Sequence, residues 1–259
     1  MQPFLPKKSQ PEPENKFSDC LYMKLEGLPV QPKNQDSIEF WQTSTKMQID
    51  LHLTIRFNEQ WESLSQGRVK FGLKGGELRV KLENSEIPYE SRELTGSIKL
   101  SLQNERQKPE VRKAQKGREL RAIAINSSLN GSKPKAQANI DTVQKSSGTA
   151  QGQASVCQVT TKLSEENPAW VFEEEIGQPV LKGLLNQAKL ATLNAIDLPC
   201  RVEATFEVSK RDVCLTDAEG LWPPDISRNK RAVLDRLIIQ RLLEPKFKPY
   251  LSRSELHYD

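Results

Sequence analysis

Hydrophobic and polar residues alternate strictly from Met47 to Asn58. One parity is apolar throughout, namely Met47, Ile49, Leu51, Leu53, Ile55 and Phe57. A period of two places successive side chains on opposite faces of an extended chain. The pattern therefore predicts a strand with one buried face and one solvated face, which is typical of antiparallel sheets.

The next alternating segment reverses its parity at Gly75-Gly76. Apolar positions are odd before the two glycines and even after them: Val69, Phe71 and Leu73, then Leu78, Val80 and Leu82. A two-residue type I′ turn would put all six side chains on one face, and glycine readily takes the positive φ that this turn requires. We predict a β-hairpin here, in which Leu73 pairs with Leu78.

Further alternating runs predict four more strands, at 95–103, 155–163, 168–180 and 201–208. In the first of them, Ile98, Leu100 and Leu102 share a face. The predicted strands follow one another without regular strand and helix alternation, which argues against a parallel α/β fold.

Residues 180–196 leave two interpretations open. Apolar residues fit one face of a helix at Leu181, Leu184, Leu185 and Ala188. The spacing LKG-x6-L, however, occurs both here and in the predicted hairpin, which would favour a second strand-turn-strand unit. The sequence does not decide between them.

Two segments lack strand or helix periodicity. Residues 1–38 are rich in Pro, Lys, Gln and Glu, and we predict a mostly disordered leader with a short apolar anchor at 21–30. Residues 104–153 are rich in polar residues and begin with a basic stretch, and we predict a disordered insertion, because ordinary loops are much shorter. The predicted β-rich halves are therefore 39–103 and 154–226.

The C-terminal part, 227–259, changes to a period of 3.6 and predicts an amphipathic helix followed by a tail. Its apolar positions are Val233, Leu234, Leu237, Ile238 and Leu242. Asp225 or Ser227 is placed to cap the start, and Pro245 is predicted to end the helix. We expect the aliphatic face to pack on the sheet.

Positive charge is concentrated near this helix. The chain of 259 residues has a net charge of only +4, yet eight basic and two acidic residues lie between Arg228 and Arg253. The candidate contact residues for an acidic partner or nucleic acid are Lys230, Arg231, Arg236, Arg241, Lys246 and Lys248. Aromatic residues beside them could stack on bases, namely Trp222, Phe247 and Tyr250. An ordinary solvated helix face accounts for the same charges, with Asp235 as an intrahelical partner of Arg231.

The composition limits which cellular compartment and which kinds of partner we expect. No run reaches the roughly 18 apolar residues that span a bilayer, and the first residues lack the apolar core of a signal peptide. The four cysteines form no CxxC pair, which indicates reduced, mostly buried thiols. We therefore expect a cytoplasmic protein with no membrane partner.

Candidate catalytic chemistry is sparse. Asp50 and His52 share the polar face of their predicted strand and resemble half of a general-base arrangement, but no nucleophile accompanies them, and a surface histidine is the simpler interpretation. With two distant histidines and no paired cysteines, we expect no zinc site and no bound cofactor. Gly72, Gly75 and Gly76 do not lie between a strand and a helix, so they match no phosphate-binding motif.

Together these patterns predict a mainly β protein, an antiparallel β-sandwich with a C-terminal amphipathic helix and a long disordered insertion. The sequence leaves open whether the two β-rich halves form one sandwich or two. The first functional hypothesis is a non-enzymatic intracellular interaction or scaffold module with a protein partner. The alternative is a nucleic-acid-binding accessory protein that uses the basic helix, and an enzyme that uses Asp50 and His52 ranks last.

Overall fold

The computed structural model describes residues 8–30, 47–101, 155–164, 167–223 and 225–259. Within these ranges the chain is mainly β. The strands are β1 (Lys8–Ser9), β2 (Glu14–Asn15), β3 (Leu21–Pro29), β4 (Gln48–Phe57), β5 (Gln60–Leu64), β6 (Gly67–Leu73), β7 (Gly75–Glu83), β8 (Ser85–Glu86), β9 (Gly96–Lys99), β10 (Val156–Thr161), β11 (Ala169–Glu174), β12 (Gly183–Ala195), β13 (Cys200–Glu207), β14 (Val213–Glu219) and β15 (Ser252–Tyr258). A short 3-10 helix lies at Tyr89–Ser91, and the helices α1 (Arg228–Ile238) and α2 (Glu244–Phe247) flank a π-helical turn at Ile239–Leu243.

These strands pair antiparallel throughout and form three sheets. The largest sheet has the order β1-β15-β13-β7-β11-β10-β9, with β2 also paired to β15. The second has the order β3-β4-β12-β8, and the third has the order β14-β6-β5. The predicted antiparallel architecture is thus confirmed.

One hydrophobic core joins the sheets. The ring of Phe57, on β4 of the second sheet, lies 6.1 Å from that of Phe172 and 5.9 Å from that of Phe206, both in the largest sheet. Strands from before and after 104–152 belong to one compact unit and share this core. The two predicted β-rich halves are therefore parts of one sandwich.

Strand β4 matches its prediction. Its residues alternate between fully buried and partly exposed, and Ile49, Leu51, Leu53, Ile55 and Phe57 all point into the core. On one side β4 pairs with β3 and on the other with β12, so it is a central strand. Apolar and polar residues alternate even in this central strand, because only one face of the sheet is covered by the core.

The predicted hairpin at Gly75-Gly76 is wrong. Strand β6 pairs with β5 and β14 in the third sheet, whereas β7 pairs with β11 and β13 in the largest sheet. The chain crosses between the sheets at Lys74. Its N–H donates to the carbonyl of Asp212 at 2.6 Å, and its carbonyl accepts from the N–H of Glu174 at 2.8 Å. The parity reverses because the chain enters another sheet while its apolar side chains still face the shared core.

Close packing explains the two glycines. Neither takes a positive φ, the property on which the turn prediction rested. A Cβ on Gly75 would lie 2.2 Å from the carbonyl oxygen of Phe172, and a Cβ on Gly76 would lie 2.3 Å from Cε1 of Phe206. Because Gly75 and Gly76 have no side chains, the Phe172 carbonyl and the Phe206 ring can lie close against the start of β7.

Residues 183–195 form the single bulged strand β12, so neither the helix nor a second hairpin is present. The register with β4 shifts between Leu185 and Ala188 and again between Lys189 and Ala191, and Gln187 has a φ of 46°. Each bulge adds a residue and changes which parity faces the core. As a result, the apolar residues of this strand are spaced in the sequence like those on one face of a helix.

Described residues 8–30 are ordered, which corrects the prediction of a mostly disordered leader at this place. They contribute β1, β2 and β3, and β3 alternates between buried and partly exposed residues over most of its length. Leu21, Met23 and Leu25 are completely buried. The Pro-rich composition around this short run concealed its alternation. The rest of the predicted leader, at 1–7 and 31–38, and the predicted insertion at 104–153 lie outside the described residues.

The C-terminal segment is also more regular than predicted. The Ser227 hydroxyl accepts a hydrogen bond from the Lys230 N–H at 3.4 Å, so serine is the cap. Helical structure continues past Pro245 to Phe247, because the wider π turn precedes the proline and a proline in the first turn of α2 needs no N–H donor. The predicted tail then forms β15, a strand inside the largest sheet. No helix in the ranges that the structure covers is long and apolar enough to cross a membrane.

Candidate functional site

Helix α1 contacts the sandwich through a narrow inward side. Asp235, Ile238 and Ile239 are partly buried there, and Leu243 and Phe247 are buried farther along the chain. The Phe247 ring lies 5.3 Å from that of Phe17 in an edge-on arrangement. The spacing of these residues brings one side of the helix to the core. The buried side chains of Leu243 and Phe247 therefore hold the helical segment 228–247 against the sandwich.

The opposite side of α1 carries an exposed apolar surface. We call Val233, Leu234 and Leu237 the outward stripe, and these residues lie on one face because they are three and four positions apart. Their exposed fractions are 60%, 37% and 41%. The expectation that the aliphatic face packs on the sheet is therefore wrong for these residues. Sequence periodicity identified an apolar face but not which of its residues the sandwich covers.

Three of the six predicted contact residues are engaged inside the protein. The guanidinium of Arg231 lies 5.5 Å from the ring centre of Trp222, and its Nε lies 3.9 Å from Oδ2 of Asp235. Lys246 forms an ion pair with Glu62. Lys248 likewise pairs with Glu244, with 3.2 Å between Nζ and Oε1.

The other three predicted contact residues remain exposed. Lys230, Arg236 and Arg241 form no ion pair with any residue in the described part of the chain. Lys230 borders the cleft that Val233 and Leu234 line, whereas Arg236 lines a different pocket. The structure thus brings the six cations to one segment but does not bring the exposed ones to one surface.

Aromatic residues beside the helix offer little for base stacking. Phe247 is buried among other rings. The rings of Trp222 and Tyr250 each have a cation over them, from Arg231 at 5.5 Å and from Lys16 at 4.6 Å respectively. The Tyr250 hydroxyl also donates to Glu14 at 2.9 Å. A nucleic acid would have to displace these contacts before its bases could stack.

Asp50 and His52 do not contact each other. The Asp50 carboxylate accepts a hydrogen bond from the Thr192 hydroxyl at 2.7 Å and lies 3.2 Å from Nζ of Lys189. Nδ1 of His52 is buried without a hydrogen-bond partner among the described residues. The acid-base arrangement that the sequence suggested is therefore absent from this strand face. In the same described ranges, no cluster of three or more acidic, histidine or cysteine side chains could hold a metal ion.

The cysteines are unpaired and mostly buried. Cys20, Cys157 and Cys200 are buried and Cys214 is partly exposed, and all four are free thiols. Burial raises the pKa of the Cys20 and Cys157 thiols to about 12, and nearby carboxylates add to this effect. Thiols with such pKa values stay protonated at neutral pH and are poor nucleophiles.

Comparison with known proteins gives no family for the chain. No protein-family model matches the sequence, and no curated protein matches it with significance. The geometry of helix α1 therefore carries the functional argument. Its exposed apolar stripe was not among the predicted contact residues, because the aliphatic positions were assigned to the core.

Proposed function

We propose that the protein is a non-enzymatic, cytoplasmic interaction module that binds a protein partner through the outward stripe of helix α1. The observation that carries the proposal is the exposure of Val233, Leu234 and Leu237 on a helix whose opposite side is already packed. Isolated exposed hydrophobic residues are normal on protein surfaces, but contiguous apolar patches mark contact sites. Residues at this spacing are the anchors that a helix offers to a groove or to another helix.

The charges beside the stripe favour an acidic partner. Lys230 and Arg241 lie four residues before Leu234 and four residues after Leu237, and neither has an ionic partner among the described residues. A second copy packed antiparallel on the same stripe would bring Lys230 and Arg241 of opposing helices near each other, which is unfavourable. An acidic amphipathic segment would instead cover the apolar residues and pair with both cations.

Nucleic-acid binding is the second candidate, because Lys230, Arg236 and Arg241 are exposed and carry no ionic partner among the described residues. Such cations could neutralise phosphates, and binding would then weaken steeply with salt. This candidate ranks second because the neighbouring rings are buried or already carry a cation. Its affinity would therefore depend on phosphate contacts more than on the bases.

Site-specific photo-crosslinking in the source cell tests the first candidate. A photoreactive residue replaces Val233 in one variant and Leu163 in the control. Leu163 is 77% exposed and lies between β10 and β11, outside the helix. We expect position 233 to crosslink one protein in high yield, through an acidic helical segment, and position 163 not to crosslink it.

Three results would contradict the proposal. One is equal crosslinking of the same proteins from positions 233 and 163, which would indicate nonspecific adhesion. Another is crosslinking of nucleic acid from position 233, which would favour the second candidate. Crosslinking of lipid alone would replace the protein partner with a membrane surface.

A further inference from the structure

A pocket separates the inward side of helix α1 from strand β14. Its volume is about 560 Å³, within the usual range for small-molecule sites. It lies on the side of the helix away from the outward stripe. The residues around it come from the loop after β13, from β14, from α1 and from the first residue of the π turn.

The rim of this pocket is cationic. Lys210, Arg211 and Arg236 are exposed, and none of them has an ion pair with another residue of the described chain. Elsewhere on the surface, cations such as Lys162 and Lys182 pair with carboxylates. Three unpaired cations around one concavity attract an anion more strongly than isolated cations do.

Asp235 is the acidic residue of the pocket. Its Oδ1 is buried without a hydrogen-bond partner in the described structure, and its Oδ2 lies 3.9 Å from Nε of Arg231. Burial raises the pKa of this carboxyl, and the Arg231 charge only partly opposes that effect. The attraction of the pocket for an anion therefore comes from the three cations alone, because the partly buried Asp235 carboxylate opposes it.

The remaining wall is apolar and adjoins an unusual backbone. Val213, Leu215 and Ile239 belong to the core or pack against it, and Ile239 begins the π turn. Such turns occur frequently at functional sites. Cys214 also borders the pocket, but burial raises the pKa of its thiol, so it is a poor nucleophile. The wall therefore suits the binding of an organic group and not thiol catalysis.

We propose that this pocket binds a small organic phosphate, with the phosphoryl group held by Lys210, Arg211 and Arg236. Arginine and lysine are the residues that proteins use for phosphate, and arginine can bind it through two hydrogen bonds. The organic part then lies against Val213 and Leu215. The volume exceeds what an inorganic anion fills, so both parts of the ligand contribute. This site goes beyond the interaction function and does not depend on it.

Calorimetric titration of the whole chain tests the site with three probes. Adenosine 5′-monophosphate has both an organic group and a phosphoryl group. Inorganic phosphate is the anion alone, and adenosine is the organic group alone. We expect the monophosphate to bind more tightly than either of the others. Arg236→Gln should weaken its binding about tenfold, because a hydrogen bond to a charged group is lost.

Two further variants make the test specific. Asp235→Asn removes a negative charge near the phosphate and should strengthen binding about three- to fivefold. Lys99→Gln removes an equal positive charge from β9, outside the pocket lining, and should leave the affinity unchanged. Arg236→Gln should weaken binding and Asp235→Asn should strengthen it. Misfolding would weaken binding in both variants, so these opposite changes in affinity distinguish electrostatic recognition from misfolding.

Several outcomes would overturn the site. The absence of saturable binding by the monophosphate is one, and an equal loss of affinity in the Lys99 and Arg236 variants is another, since it would indicate diffuse surface charge. If inorganic phosphate bound as tightly as the monophosphate, the pocket would hold an adventitious ion only. Equal binding of adenosine would show that the cations play no part.

Discussion

The ring of Phe206 occupies the space that a side chain on Gly76 would need. Its Cε1 lies 2.3 Å from the position of a Cβ on residue 76, and the Glu207 carbonyl oxygen lies 2.9 Å from it. Gly76 is the second residue of β7, just after the chain has crossed between two sheets at Lys74. The contact therefore couples the crossover to the centre of the largest sheet.

We predict that Gly76→Ala destabilises the protein by about 2–3 kcal/mol, because a ring in a packed core cannot move away without strain. Chemical denaturation measures the free energy of unfolding. Gly177→Asn is the matched control, since Gly177 has a φ of 83° with open space around it and asparagine tolerates that conformation. In a Phe206→Leu background the cost of Gly76→Ala should become smaller. An unchanged cost there would show that the ring is not its cause.

Glu59 joins three segments through its carboxylate. Its Oε2 lies 2.6 Å from Nζ of Lys182 and 3.3 Å from Nζ of Lys70, and the Thr216 side chain also bonds to it. Burial raises its pKa, but the hydrogen bonds from Lys182 and Thr216 and the two lysine charges outweigh that effect. The net result is a pKa below the ordinary 4.5.

This lowered pKa predicts how stability depends on pH. Because the unfolded chain holds the Glu59 proton more tightly, the stabilisation is complete above about pH 5 and is lost as pH falls through the folded pKa. We expect Glu59→Gln to cost about 1–2 kcal/mol at pH 7 and progressively less below pH 4.5. Denaturation curves from pH 3 to 7 measure this difference.

Glu219→Gln is the control for Glu59. Glu219 pairs with Arg68 at 2.7 Å, but about half of each side chain is exposed, so the substitution should cost less than about 0.5 kcal/mol. If the two variants cost the same, or if the Glu59 difference does not change with pH, the network does not stabilise the fold as described.

The nucleic-acid candidate makes a separate prediction. Replacing Lys230, Arg236 and Arg241 together by Gln should weaken binding to a DNA or RNA duplex and lower the salt slope by about three, without lowering the melting temperature. Arg231→Gln is expected to lower the melting temperature, because Arg231 contacts Trp222 and Asp235. No salt-sensitive retardation of nucleic acid at low ionic strength would eliminate this candidate.

Local patterns predicted strands more reliably than their partners. The alternation of β4 follows directly from having one buried face, and the Ser227 cap follows from local hydrogen bonding. The parity change at Gly75-Gly76, by contrast, fits either a turn or a crossing between sheets. Only long-range contacts, such as those of Lys74 with Asp212 and Glu174, distinguish the two.

The candidate site was also only partly predictable, because its exposure depends on long-range contacts. The sequence identified an amphipathic basic helix, but whether Val233 or Ile238 faces the core depends on how the helix is rotated against the sandwich. Two buried residues set that rotation, Leu243 at the end of the π turn and Phe247 on α2. The strand β15 was missed because its inward positions include Ser252 and Ser254, whose hydroxyls bond to Asn15 and to the Leu25 N–H.

The most direct test of the outward stripe is the affinity of the crosslinked partner for purified variants. We predict that Val233→Glu with Leu237→Glu weakens binding at least about 100-fold, because two central apolar contacts are lost and negative charge faces an acidic partner. Both residues are exposed and glutamate favours helix, so the melting temperature should change little. Leu163→Glu should bind like the unchanged protein. Equal affinities for the double variant and the Leu163 control would contradict the proposed interaction surface.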